Sequence, residues 1–304
     1  MNPVTRRPDF VIIGAMKCAT STLHVQLAQQ PGFAMSEPKE PNYFSDDAVF
    51  ALGMDWYRGV FPDGKLRGES STHYTKLPTH PHTIRRLRRE LGEDLKLIYI
   101  MRHPVDRLVS HYIHEWSQEV LSEPIEEAID SHEPLVAYGS YAMQLRPWLE
   151  IFGPDRILPI FFDRIVKHPQ EELERVCRFL GYEGQPQWIA EKGRQNVSRE
   201  RVRRSWIDLA ASIRPLVWMV RRFVPQGIRA WVRSFRQMKV RPELQDGDRK
   251  RLEERFDRDL AELGSWLGMP DLCCANFHER ALTPDPRWSE ATPRPRQDEH
   301  ALAS

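Results

Sequence analysis

Lys17 stands inside the segment Gly14-Ala-Met-Lys17-Cys-Ala-Thr20-Ser21-Thr22, where one cation and three successive hydroxyls follow the apolar run Phe10 to Ile13. A turn from a buried strand into a helix points backbone N–H groups at one spot, and the helix dipole adds to them. Lys17 supplies a point charge there, and Thr20, Ser21 and Thr22 supply further donors. The chemistry is that of phosphate binding. The pattern is not a Walker loop, which needs Gly, Lys and Ser or Thr where this chain has Ala19, Thr20 and Ser21. An ordinary strand-to-helix turn carrying a surface lysine is the plainer alternative.

A second cation ends the apolar run Leu97 to Met101. P-loop nucleotidases place an aspartate there to help hold magnesium. This chain has Arg102. A guanidinium cannot ligate a metal, but its planar fork pairs with phosphate. Ser110, two helical turns on, is placed to donate to the same group. The two segments therefore predict a site for two anionic groups without a metal. The alternative is a local ion pair between Arg102 and Asp106.

The elements that must hold these residues follow from the apolar pattern. Residues 10–13 and 95–101 read as buried parallel strands, and Ile157 to Phe162 as another. Helices are predicted for 20–30 (stopped by Pro31-Gly32), within 77–91, from Pro104 to about Gln118, over 141–152, and from Pro169 to Leu180 with Gly181 as cap. Alternating strands and helices imply an α/β fold with a mainly parallel sheet, followed by a helical C-terminal part.

The two anion segments, in this order, resemble the donor-binding motifs of sulfotransferases. Further matches extend the likeness over about residues 9–270. Lys39-Glu40-Pro-Asn-Tyr-Phe44 is similar to the Lys-Glu-x-His-Phe-Phe segment of heparan-sulfate-type enzymes, and Glu191-Lys192-Gly193-Arg194 to a late Lys-Gly-Arg turn. The run Leu252 to Leu267 is similar to a closing helix. The resemblance implies a P-loop-like three-layer fold and 3′-phosphoadenosine-5′-phosphosulfate as co-substrate, with no metal. It assigns the 5′-phosphosulfate to Lys17, Ala19, Thr20, Ser21 and Thr22. The 3′-phosphate goes to Arg102 and Ser110, with Lys192, Gly193 and Arg194 closing over it. Three positions depart from the family. Ala19 stands where glycine is common, Asn42 replaces the histidine, and Glu69-Ser-Ser-Thr72 replaces Glu-Lys-Thr-Pro.

Sulfuryl transfer needs a base for the acceptor proton and charge stabilisation on the leaving oxygen. Glu40 is the candidate base, held between Pro38 and Pro41, with Lys39 beside it to stabilise the transferred group. His73 is the rival, since its ordinary pKa suits proton transfer near neutrality. The same residues also read as a solvated charged loop and a loop histidine. His111 and His114 lack the adjacent glutamate and third ligand of a zinc helix.

The bulk properties set limits on partners. With 44 Lys and Arg against 43 Asp and Glu, the net charge of +1 excludes bulk attraction to nucleic acid, so local patches must bind any anion. No apolar run reaches the ~18 residues of a membrane span, no signal-peptide pattern follows Arg6 and Arg7, and Cys18, Cys177, Cys273 and Cys274 match no zinc pattern. A reducing, cytoplasmic setting is expected. One sulfotransferase domain is expected over 1–282, with a Pro-rich, disordered or loosely attached tail over 283–304. Within the domain, 199–245 is Arg- and Trp-rich, suited to a membrane surface or to an anionic, glycan or lipid-linked acceptor, or serving as a solvated helical cap. Two rival functions remain at this level: a P-loop-like kinase, and a non-catalytic module binding adenosine bisphosphate or glycan.

Overall fold

In the computed structural model, which describes residues 7–192 and 241–295, Phe10 to Ile13 and Leu97 to Met101 have no exposed surface. Strands covered on both faces need no polar alternation, which is why these runs are continuously apolar. They form β1 (Phe10–Gly14) and β4 (Lys96–Met101). With β2 (Phe33–Met35), β3 (Leu66–Glu69) and β5 (Ile157–Phe161) they make one parallel sheet in the order β2-β3-β1-β4-β5.

Helix α1 (Thr20–Ala28) carries the chain from β1 to the β2 edge. Helices α2 (Asp47–Phe50) and α3 (Met54–Gly59) lie between β2 and β3, and α4 (Thr83–Leu91) leads back across to β4. Beyond β4 come α5 (Pro104–Ser117), α6 (Ile125–Ser131), α7 (Pro134–Ala137) and α8 (Tyr141–Phe152). Neighbouring β1 and β4 thus send their chains to opposite edges. The crevice at their carboxyl ends is the switch point at which open α/β sheets bind ligands.

After β5 run α9 (Phe162–Lys167) and α10 (Pro169–Leu180), the latter ended by Gly181 in the left-handed region at φ 78°. The C-terminal part contributes α11 (Asp246–Trp266) and α12 (Phe277–Arg280). Helix α8 has no side-chain cap of its own, and Asp259 of α11 accepts from the N–H groups of Ala142 (2.9 Å) and Met143 (3.0 Å). Those otherwise orphaned donors bind the last long helix to the domain.

The Pro-rich end departs from expectation over 283–295. Trp288 Nε1 donates to Ile157 O at 2.6 Å, Thr292 Oγ1 donates to Trp266 O at 3.0 Å, and Asp285 pairs with buried Arg175 at 2.9 Å. Composition suggested a loose tail, but a few well-placed polar contacts fasten a segment that has little apolar surface to bury. Residues 199–240 of the Arg- and Trp-rich stretch, and 296–304 of the tail, lie outside the described residues.

Candidate active site

The loop leaving β1 turns through two left-handed residues, Lys17 and Ala19, both at φ 68°. An L-residue pays roughly 1–2 kcal/mol there, which is why glycine is favoured at such positions. Ala19 is the residue that caps α1, and as alanine it still adopts the left-handed conformation that glycine favours. The loop is pinned from below. Ala15 N donates to Ile100 O at 2.8 Å, and Thr75 Oγ1 donates to Ile13 O at 2.7 Å. Thr75 Oγ1 lies only 2.0 Å from where a Cβ on Gly14 would sit, so that position requires glycine. Among the described residues, the hydroxyls of Thr20, Ser21 and Thr22 have no hydrogen-bond partner, and they stand at the N-terminus of a nine-residue helix.

Arg102 is brought to the same crevice by Tyr141. The Tyr141 hydroxyl donates to Arg102 O at 2.6 Å and accepts from Arg102 N at 3.1 Å, while lying 3.9 Å from Cys18 Sγ in the loop. One buried phenol therefore ties the phosphate loop to the end of β4. Burial pushes the Cys18 thiol up to about 11, against the pull of Arg107 and Arg102, so it stays protonated and serves packing. The Arg102 guanidinium lies 4.7 Å from the Phe162 ring, and its buried Nε has no partner among the described residues. A donor left bare costs about 1–3 kcal/mol unless a ligand takes it up.

The cleft beside Arg102, of about 370 Å³, is lined also by Asp106, Arg241, Glu243, Asp246 and Arg249. Asp106 does not pair with Arg102 among the described residues. It faces His278 at 3.8 Å instead. His103, Asp106 and His278 bring ligand-type atoms within 4.8 Å of one another, and His278 Nδ1 donates to Asp163 Oδ1 at 2.7 Å. Ser110 lies half-buried on α5.

Glu40 is positioned by the segment after β3. Ser70 N and Ser36 Oγ both donate to Lys39 O, at 3.2 Å each, and Asn42 N donates to Ser71 Oγ at 3.1 Å. Thr72 Oγ1 then donates to Glu40 Oε2 at 3.1 Å, and Lys39 Nζ pairs with Glu40 Oε1 at 2.5 Å. Burial pushes the Glu40 carboxyl up, but Lys39, the Thr72 hydrogen bond and nearby His73 outweigh it and hold the group below its ordinary value. Glu40 is thus a carboxylate at neutral pH. His73 is held neutral, lowered to about 4 by burial and by Lys76 and His80 against the attraction of Glu40, and its ring stacks on His80 at 5.0 Å.

Gln26 of α1 and Gln30 just after it bring in the late segment. Gln26 exchanges hydrogen bonds with the backbone of Ile189 at 2.8 and 2.9 Å, and Gln30 does the same with Gln187 at 3.0 and 2.9 Å. The short turn Ala190–Lys192 that follows therefore begins beside the phosphate-loop helix. Gly193 and Arg194 lie outside the described residues.

Residues 7–264 match the family described as the sulfotransferase domain. This chain belongs to the sulfotransferase family. Among curated relatives, heparan sulfate glucosamine 3-O-sulfotransferase 3A1 of Mus musculus is 30% identical over 186 residues, 57% of this chain and 46% of that protein. Heparan sulfate glucosamine 3-O-sulfotransferase 6 of Homo sapiens is 29% identical over 187 residues, 58% of this chain and 53% of that protein. The chain thus spans about half the length of these curated relatives. The crystal structure of a sulfotransferase from Alicyclobacillus acidocaldarius shares the fold, with a TM-score of 0.53 and 26% identity over 75% of this chain and 99% of that one.

The loop after β1 and Arg102 after β4 share one crevice, and Glu40, Lys39 and His73 cluster around Thr72. Sequence reasoning missed five contributors. His24 reaches the Glu40 side from α1, its Nδ1 2.9 Å from Ser70 Oγ, and burial and Lys39 lower it to about 4. Lys76, Tyr141 and the arginines 241 and 249 were also unmarked. None sits in a motif, and only the folded chain places them by the site.

Proposed function

We propose that this chain transfers the sulfuryl group of 3′-phosphoadenosine-5′-phosphosulfate to a hydroxyl or amine of an acceptor: a carbohydrate, a glycolipid or a small metabolite. The observation that carries this reading is the junction at Tyr141, which sets a left-handed loop and Arg102, whose Nε has no partner among the described residues, on adjacent strand ends. The residues fit such a donor. The N–H groups and hydroxyls at the start of α1, with Lys17, would hold the 5′-phosphosulfate. Arg102 and Ser110 would hold the 3′-phosphate, with Lys192 and the following Gly193 and Arg194 closing the site.

Glu40 takes the proton from the acceptor O–H or N–H as that atom forms its bond to sulfur. The bond from sulfur to the nucleotide's bridging oxygen breaks, and the electron pair stays on the 5′-phosphate. Lys17 balances the charge that gathers there, an interaction stronger in the transition state than before it and so one that raises kcat. Lys39 stands next to Glu40 as a second cation for the group in transit. His73 is the rival base. No part of this scheme calls on a metal.

Similarity to heparan sulfate glucosamine 3-O-sulfotransferases makes glucosamine-containing glycans the first acceptors to test. Asn42 and the Ser70-Ser71-Thr72 run, which differ from the heparan-sulfate pattern, support a different acceptor contact within that class. The four cysteines are free, which suits the cytoplasmic location we assign, and any membrane contact is assigned to the Arg- and Trp-rich stretch. Incubation with donor labelled in its sulfuryl group and a panel of glucosamine oligosaccharides, glycolipids and small alcohols and amines tests the reading. A sulfated product supports it. Donor binding without product on any acceptor would favour a binding module, and magnesium-dependent phosphoryl transfer would favour a kinase.

A further inference from the structure

Lys76 is 7% exposed, yet among the described residues no carboxylate lies close enough to form an ion pair with it. A buried ammonium without a counter-ion is costly, so such groups mark sites that receive an anion. Its backbone is fixed on both sides. Thr75, just before it, bonds the end of β1 at Ile13 O. Leu77, just after it, is gripped by fully buried Gln144, which accepts from Leu77 N and donates to Leu77 O at 2.8 Å each. His80 N donates to the Lys76 carbonyl at 3.0 Å, and the ammonium lies 5.5 Å from the centre of the Tyr138 ring.

Lys76 directly follows the turn Thr72–Thr75, which is pressed against the end of β1 where the phosphate loop begins and which carries the Thr72 hydroxyl bonded to Glu40. Glu40 and Glu115 attract the Lys76 ammonium, and Arg107 and Lys17 repel it. Lys76 is therefore within electrostatic reach of both the donor loop and the carboxylate on the acceptor side. Tyr138 offers the ammonium a ring face rather than a negative charge, and the nearby Glu115 is engaged with His111 at 3.1 Å.

We propose that Lys76 is a catalytic residue, its ammonium contacting the oxygens of the sulfuryl group between the donor loop and Glu40. The inference rests on the sulfuryl-transfer reading. It makes Lys76 a third cation at the site beside Lys17 and Lys39, and the one that is most deeply buried and most firmly held. It also separates the two nucleotides of the reaction, because the donor carries the sulfuryl group and adenosine 3′,5′-bisphosphate does not.

Calorimetric titration of the full chain with each nucleotide tests this without knowledge of the acceptor. Lys76→Met is expected to bind adenosine 3′,5′-bisphosphate within about twofold of wild type, and to bind 3′-phosphoadenosine-5′-phosphosulfate roughly 10- to 150-fold more weakly. Lys76→Arg keeps the charge and should recover most of the lost donor affinity. Retained bisphosphate binding in Lys76→Met reports an intact fold. Unchanged donor binding in Lys76→Met, or equal losses for both nucleotides that Lys76→Arg does not repair, would overturn the assignment. Failure of the wild type to bind either nucleotide would instead strike the donor-site reading beneath it.

Discussion

Glu40 carries its charge at neutral pH because Lys39 and Thr72 already satisfy it, so an acceptor meets a ready base rather than one that must first ionise. Glu40→Gln keeps the shape and removes the basicity, and kcat with the true acceptor should drop by ~10²- to 10⁴-fold while nucleotide binding stays near normal. His73→Ala should leave most of the rate, and the opposite pattern would make His73 the base. The pH profile separates the cation from the base. Glu40 titrates below its ordinary 4.5, so kcat/KM should hold level through mild acid. Lys76 is lowered to about 8 by burial, with Arg107 and Lys17 adding to this and Glu40 and Glu115 opposing it. The free enzyme should therefore lose kcat/KM as pH rises through about 8, and Lys76→Arg should remove that alkaline limb. An alkaline limb unmoved by arginine would assign it elsewhere. At this scale the sequence marked Lys17, Glu40 and Arg102, because each sits in a run with a recognisable turn or strand end. Lys76 and His24 were not legible, since each is an isolated polar residue whose environment is made by distant segments.

The segment from β3 into the Thr72–Thr75 turn organises the acceptor side, and its anchor is Glu69. That carboxyl is fully buried and accepts from Tyr57 OH (2.6 Å), Ser71 Oγ (2.5 Å) and Tyr74 OH (2.9 Å). Burial raises it to about 7, although those three donors oppose the shift. The folded state thus holds this proton more tightly than the unfolded chain, whose value is near 4.5. The sign follows: its contribution to stability is full below about 4.5 and is lost as pH rises to about 7. Denaturant melts should show Glu69→Gln gaining on wild type across that window, and a constant difference between the two would refute the shift. At the donor side, Gln26→Ala strips both bonds from Ile189, and should weaken bisphosphate binding by loosening the Lys192 turn while leaving α1 folded, as circular dichroism would check. The long strands were legible as unbroken apolar runs. The three residues of β2 and four of β3 are too short to show a period, and the contact of residues 36–42 with 69–72 exists only through the sheet order.

Over the whole molecule, two late segments complete what the first 192 residues begin. Helix α11 caps α8 through Asp259, and residues 283–295 fasten β5 and α11 from outside. Removal of everything after Leu282 bares Ile157 O and takes Asp285 from buried Arg175. Thermal unfolding should show a midpoint lowered by about 2–4 °C for each kcal/mol lost, and an unchanged midpoint would mean the packed tail adds nothing. Proline content hid this, because composition reports what a segment cannot bury and says nothing of the few hydrogen bonds that can hold it. The near-zero net charge is matched locally, since Arg102, Arg241 and Arg249 share one cleft with Asp106, Glu243 and Asp246. The crevice itself is tested by titrating the full chain with adenosine 3′,5′-bisphosphate and with adenosine 5′-monophosphate in excess EDTA, for wild type and Arg102→Ala. Arg102 reading the 3′-phosphate without a metal predicts wild-type binding in chelator. It also predicts a loss of roughly 10- to 150-fold in Arg102→Ala for the bisphosphate and little loss for the monophosphate. Strict dependence on magnesium, or equal losses for both ligands, would contradict the account.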